Sequence, residues 1–165
     1  MSNYIEEYKL ISEEYGDRKA TRSQIPLIKH IDEGLVLLDE LRATNLTKAA
    51  YCLHPLLQND ASMCKFLKLD TTAISIDAVV LAMEYRRVAN QYLPKNFRNR
   101  FDFIELSSIA EVNQMLVADK VQNRKDFTCH CNKYPNEKQL RGYFKVWLAA
   151  LGISYKYYLE LLELL

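Results

Sequence analysis

Apolar positions along this chain recur every three or four residues, the spacing of one face of an α-helix, and no stretch reads convincingly as strand. Tyr4, Ile5, Tyr8 and Ile11 predict a first helix over residues 3–15, which Gly16 ends. Residues 17–25 read as a polar loop. Pro26 suits a helix's first turn, and Ile28, Ile31, Leu35, Leu38 and Leu41 carry an apolar stripe to about residue 42. A third helix is expected over residues 47–57, with Pro55 kinking or ending it. Residues 60–67 predict a short helix. A longer one is expected over 76–93, N-capped by Ser75 and stopped by Pro94. A basic and aromatic loop then runs to Leu106. Ser108 and Glu111 read as a capping box that opens a helix to about residue 127. Residues 136–151, closed by Gly152, and 154–165, capped by Ser154, complete the pattern. The expectation is an all-α fold of seven or eight helices, one domain over residues 1–165, without repeats.

Composition agrees. Apolar residues make up 49% and charged residues 26%, the balance of a globular rather than a disordered chain. Gly and Pro number four each, too few turn residues for a sandwich or barrel. The net charge of +1 gives no strong nucleic-acid signal and none for a membrane surface. The basic residues are local: Lys95, Arg98 and Arg100 in one stretch, Arg18, Lys19 and Arg22 in another. No run approaches the roughly 20 apolar residues of a membrane span. The N-terminus has no basic start and no apolar core of a signal peptide. Four cysteines, Cys52, Cys64, Cys129 and Cys131, are too few and too irregular for a disulfide framework. Reduced thiols and a cytoplasmic setting are expected. Cys129-His130-Cys131 has no second pair of donors, so it reads as a helix end rather than a zinc site. The crowded leucines and tyrosines of the last helix are expected to be covered, by the domain or by a second copy of the chain.

The three histidines of the chain are His30, His54 and His130. A single histidine on an amphipathic helix is ordinarily structural. The surroundings of His30 and His54 change the picture. Arg22, Ser23 and Pro26 precede His30; Ala49 and Ala50 precede His54; further on stand Ala118, Asp119, Lys120 and Asn123. In this order and spacing the three segments resemble the hydrolase domain of the Rel/SpoT family, over residues 15–127. That family degrades guanosine tetraphosphate with a manganese ion inside an HD-type helical bundle. In the first segment Arg22, Ser23, Pro26 and His30 match. Gln24, Ile25, Leu27 and Ile31 depart, the glycine and tyrosine of the family's loop falling on Gln24 and Leu27. In the third, lysine stands at Lys120 for the family's arginine.

The resemblance implies an HD-domain-like bundle and a divalent metal, Mn2+ in the family, on His30, His54 and Asp119. It also exposes losses. The family's aspartate after the second histidine is Pro55 here, and its water-activating Glu-Asp pair falls on Gln58 and Asn59. An amide can orient a water but cannot take its proton. Asp119, Gln58 and Asn59 are thus the catalytic positions the resemblance carries over, and Glu84 is the candidate base. Glu84's plainer reading is an ion pair with Arg87. Glu33, one turn from His30, is a second compensating carboxylate. Arg22 is expected on the substrate, with Arg18, Lys19, Ser23, Arg86, Lys120 and Asn123 as further substrate-binding residues. The leading expectation is a metal-dependent phosphohydrolase acting on a nucleotide or nucleotide-like phosphoester. The alternatives are an inactive domain that binds or sequesters a guanine nucleotide, and a helical interaction protein that pairs through its C-terminal helices.

Overall fold

The computed structural model describes residues 4–21, 23–96, 104–130 and 136–165. These are all-α: α1 Ile5–Tyr15, α2 Ile28–Glu40, α3 Asn45–Leu57, α4 Asp60–Phe66, α5 Ile76–Ala89, a 3-10 turn at Pro94–Asn96, α6 Ala110–His130, α7 Glu137–Ala150 and α8 Tyr155–Leu162. The expected helices are all present, and Ser75 and Ser154 cap α5 and α8 as their sequence positions suggest. Arg22, Arg98, Arg100 and Cys131 lie outside the described residues. Among the rest, Cys52 is a buried free thiol and Cys64 and Cys129 are exposed ones. No helix among the described residues is long and apolar enough to cross a membrane.

Several boundaries differ: α5 ends at Ala89, α6 runs on to His130 and α8 ends at Leu162. Helix α3 starts at Asn45, two residues early, because Thr44 Oγ1 accepts the Thr47 N–H at 3.1 Å. It reaches Leu57 as expected, running through Pro55. At the start of α6, the capping groups are Ser107 and Asn113. The Asn113 side chain exchanges hydrogen bonds with the Ser107 backbone at 2.8 and 3.2 Å, and Ser107 Oγ accepts the Ile109 N–H at 3.2 Å.

Two helices form the axis of the bundle. In α3, nine of thirteen residues are buried, from Thr47 to Leu57. It packs against α1, α2, α4, α5 and α6. In α6, every residue from Met115 to Gln122 is buried, the signature of a helix surrounded on all sides. It packs against α2, α3, α5, α7 and α8. That run includes Asp119, Lys120 and Gln122, and buried polar groups of this kind must find partners inside the protein. Glu7 of α1 is buried as well, and its Oε1 accepts the Ser75 N–H at 3.1 Å, tying α1 to the start of α5.

Helices α2 and α3 meet closely at Gly34. A Cβ built there would stand 2.1 Å from the Tyr51 hydroxyl oxygen, so the Tyr51 ring fills the space any side chain would need. Tyr51 is fully buried and backs both histidine rings, 5.9 Å from His30 and 4.7 Å from His54 between centroids. Gly34→Ala is expected to displace that ring and cost about 1–3 kcal/mol, as overpacking does. A denaturant midpoint that does not move would contradict this.

Candidate metal centre

Residues from all three motifs meet in one pocket of about 230 Å³, lined by the loop after α1 and by α2, α3 and α6. His30 comes from α2, His54 from α3 and Asp119 from α6. Their ligating atoms all lie within 4.8 Å of one another. The two Nε2 atoms are 3.3 Å apart, and Asp119 Oδ1 stands 3.5 Å from that of His30 and 3.8 Å from that of His54.

The hydrogen-bond partners fix which nitrogens carry protons. Pro55 has no N–H to give the Tyr51 carbonyl, its partner four residues back in the helix. His54 Nδ1 stands 2.6 Å from that freed oxygen. A carbonyl only accepts, so Nδ1 must donate and Nε2 keeps its lone pair. His30 Nδ1 stands 2.6 Å from Gln122 Oε1. The Gln122 amide is oriented by its other end, where Nε2 donates to Glu33 at 3.1 Å and to Asp126 at 2.9 Å. Its oxygen therefore faces His30 and Nδ1 donates to it, which in the neutral ring leaves Nε2 with a lone pair. With both rings neutral, two imidazole lone pairs and a carboxylate oxygen converge with no donor among the three. A cation is the complement of that arrangement.

Charge agrees with this reading. Burial, then the neighbouring His30, lowers the His54 pKa to about 3, so its ring stays neutral and available as a donor atom. Burial would raise the Asp119 carboxyl, but the Lys120 ammonium beside it holds it below the usual carboxylate range. Asp119 is gripped on both oxygens, by Lys120 Nζ on Oδ2 and Asn123 Nδ2 on Oδ1, each at 2.7 Å. The Tyr85 ring, fully buried, packs 4.9 Å from His54, and its hydroxyl lies toward Asp119 without forming a hydrogen bond of normal geometry among the described residues. The two-nitrogen, one-oxygen set suits a divalent transition ion with coordination positions left open.

The structure sorts the remaining expected site residues. Ser23, Gln58 and Asn123 line the pocket with the three ligand positions. Lys120 does not: it is 5% exposed, packed over the Trp147 ring at 5.0 Å, and turned to the far side of Asp119. One residue along a helix is a rotation of about 100°, so Lys120 and Asp119 cannot both face the pocket. Arg18 donates to Glu14 and to the Tyr15 carbonyl, and lines a neighbouring cavity with Asn59. Asn59 caps α4 by accepting the Ser62 N–H at 2.9 Å. Lys19 is exposed, in a backbone bridge with Pro26. Arg86 is bound to Asp60 and Met63. Glu84 is held by Arg87 at 2.7 and 2.8 Å and by Ser107 at 2.7 Å, which is its plainer reading and removes it from the pocket wall. Glu33 is no ligand either. It is buried behind Gln122 and paired with Lys125.

Gln122 and Asp126 are the functional positions that the motifs did not mark. Both were legible in spacing, since they follow Asp119 by three and seven residues on one helical face. Gln122→Ala removes the acceptor that orients His30. It is expected to weaken metal binding about 10–100-fold, the usual cost of losing an outer partner of a metal-bound histidine. Competitive metal titration reads this, and unchanged affinity would assign Gln122 a purely structural role.

No family model, curated protein or solved structure matches this chain, so what it can hold is read from its own side chains.

Proposed function

We propose that this chain is a divalent-metal-dependent phosphohydrolase of the HD type, acting on a nucleotide or a nucleotide-like phosphoester. The observation that carries the reading is the meeting of His30, His54 and Asp119, one from each motif, with both Nε2 lone pairs turned inward. A second observation supports the resemblance itself. Gln24 adopts φ 60°, a backbone state that favours glycine, at the position where the Rel/SpoT loop carries glycine.

A divalent ion held there supplies Lewis acidity toward a phosphoryl oxygen and toward water. We take manganese as the working ion because the resembled family uses it. The chain's own residues do the rest. Asp119 is kept ionised by Lys120, and the two imidazoles are kept in one tautomer by the Tyr51 carbonyl and Gln122. Ser23 and Asn123 offer neutral polar groups on the pocket wall.

The lining holds two carboxylates, Asp119 and Asp126, and among its described residues no lysine or arginine. Lys120 and Lys125 stand beside these two carboxylates but outside the lining, so a bound cation would be the positive charge that a phosphate meets on the described pocket wall. One observation favours an inactive, metal-dependent binder instead. Gln58, an amide, lines the pocket where the family has an acid to take the proton.

The test is phosphate release from a panel of nucleoside polyphosphates, with manganese and with chelator. Release that requires metal and disappears in His30→Ala supports the hydrolase. Metal-dependent thermal stabilisation by a nucleotide, with no release from any member of the panel, replaces it by the inactive binder.

A further inference from the structure

A second cavity, of about 400 Å³, opens between the end of α6 and helices α7 and α8 and shares no lining residue with the metal centre's pocket. Its described lining carries four cations, Arg124, Lys125, Arg141 and Lys145, and no carboxylate. Two of them are matched by acids outside the cavity: Lys125 by Glu33, and Arg141 by Glu137 at 2.7 Å. Arg124 and Lys145 have no carboxylate partner among the described residues.

Arg124 is also held in a particular way. Its guanidinium lies 4.1 Å from the centroid of the Tyr158 ring and 5.7 Å from that of Tyr155. Tyr158 is buried, whereas Tyr155 is 65% exposed. A guanidinium whose face is covered by a ring keeps its N–H edge for a phosphate fork. Tyr155 is stacked on Tyr158, with 6.2 Å between centroids and 29° between planes, and its exposure leaves the outer side of the ring open. Unmatched positive charge next to that face, in a concave space of small-molecule size, complements a ligand that is both anionic and aromatic.

We propose that this cavity binds a nucleoside phosphate, with Arg124 and Lys145 on the phosphate oxygens and Tyr155 against the base. The site needs no metal and does not rest on the hydrolase reading.

Chelator-treated protein is titrated calorimetrically with guanosine and adenosine 5′-diphosphates, inorganic pyrophosphate and guanosine. Chelation removes any ion from the first pocket, and sensitivity to Lys145→Ala and Tyr155→Ala assigns the binding to the second cavity. Both diphosphates are expected to bind, more weakly as salt rises. Lys145→Ala and Arg124→Ala should each weaken them about tenfold or more. Tyr155→Ala should weaken the nucleotides and leave pyrophosphate unchanged. Lys145 and Tyr155 are exposed, so these two variants keep the test valid even if Arg124→Ala disturbs the packing on Tyr158. The absence of saturable binding by either nucleotide overturns the proposal, as does binding that Lys145→Ala leaves unchanged. Neither result bears on metal binding at His30 and His54.

Discussion

Asp119→Ala is expected to lower the stability of the metal-free protein by about 3–5 kcal/mol, the cost of removing one partner from a buried ion pair. The reason is Lys120 rather than the lost carboxylate alone. Both residues are almost fully buried, 3% and 5% exposed. Lys120 faces the Trp147 and Tyr143 rings on one side and Asp119 on the other. Those rings lend it some cation-π attraction, but Asp119 is its only acidic partner among the described residues. Burial would lower its pKa, and the Asp119 charge instead holds it above the usual lysine value. Without Asp119, Lys120 must lose its proton or open the bundle to water. The double variant Asp119→Ala, Lys120→Met should therefore recover much of the loss, because it removes both charges. Denaturant unfolding in chelator reads both variants. A single variant within about 1 kcal/mol of the parent would show that Lys120 reaches solvent and that the pair is not what holds α6.

Pro55→Ala is expected to move stability and metal binding in opposite directions. Proline inside a helix costs up to about 3 kcal/mol relative to alanine, and less near an end, as here. Alanine restores an N–H that can bond the Tyr51 carbonyl, so α3 should gain about 1 kcal/mol or more. The same bond competes with His54 Nδ1 for that oxygen. His54 would then lose the partner that fixes its tautomer, and metal affinity should fall about 10–100-fold. Unfolding in chelator and competitive metal titration measure the two halves. A stabilised protein with unchanged metal affinity would show that His54 is oriented by packing between Tyr51 and Tyr85 alone.

Pro55 also marks how far the sequence could be read. As a departure from the resembled family it reads as a lost metal ligand and a helix break. The apolar spacing does carry α3 to Leu57, but it leaves open whether Pro55 kinks or ends the helix, and α3 runs through it, packed against five other helices along its length. The helices themselves were legible because their apolar stripes and caps are local, as at Ser75 and Ser154. The capping of α6 was not, since Asn113 reaches back six residues to Ser107, outside the capping-box spacing.

The ligand set was legible as three motifs in order. The direction of each neighbouring side chain was not. Lys120 sits next to Asp119 in the chain, yet a helix turns it into the core. The charged stretch of α5 points Glu84 and Arg86 to the pocket by sequence alone, but Arg87, Ser107 and Asp60 bind them elsewhere. Glu33 was read as a compensating ligand, and it acts one shell further out, through Gln122.

The central claim is that two histidines, each held at Nδ1 with Nε2 turned toward the other, and one aspartate form a cation site. Titration of chelator-treated protein with cobalt(II), followed by its visible absorption, tests this most directly. The account predicts one saturable ion per chain with a spectrum of mixed nitrogen and oxygen ligation, displaced by zinc and abolished in His30→Ala and in His54→Ala. Absence of saturable uptake, or a spectrum that both variants leave unchanged, would contradict it.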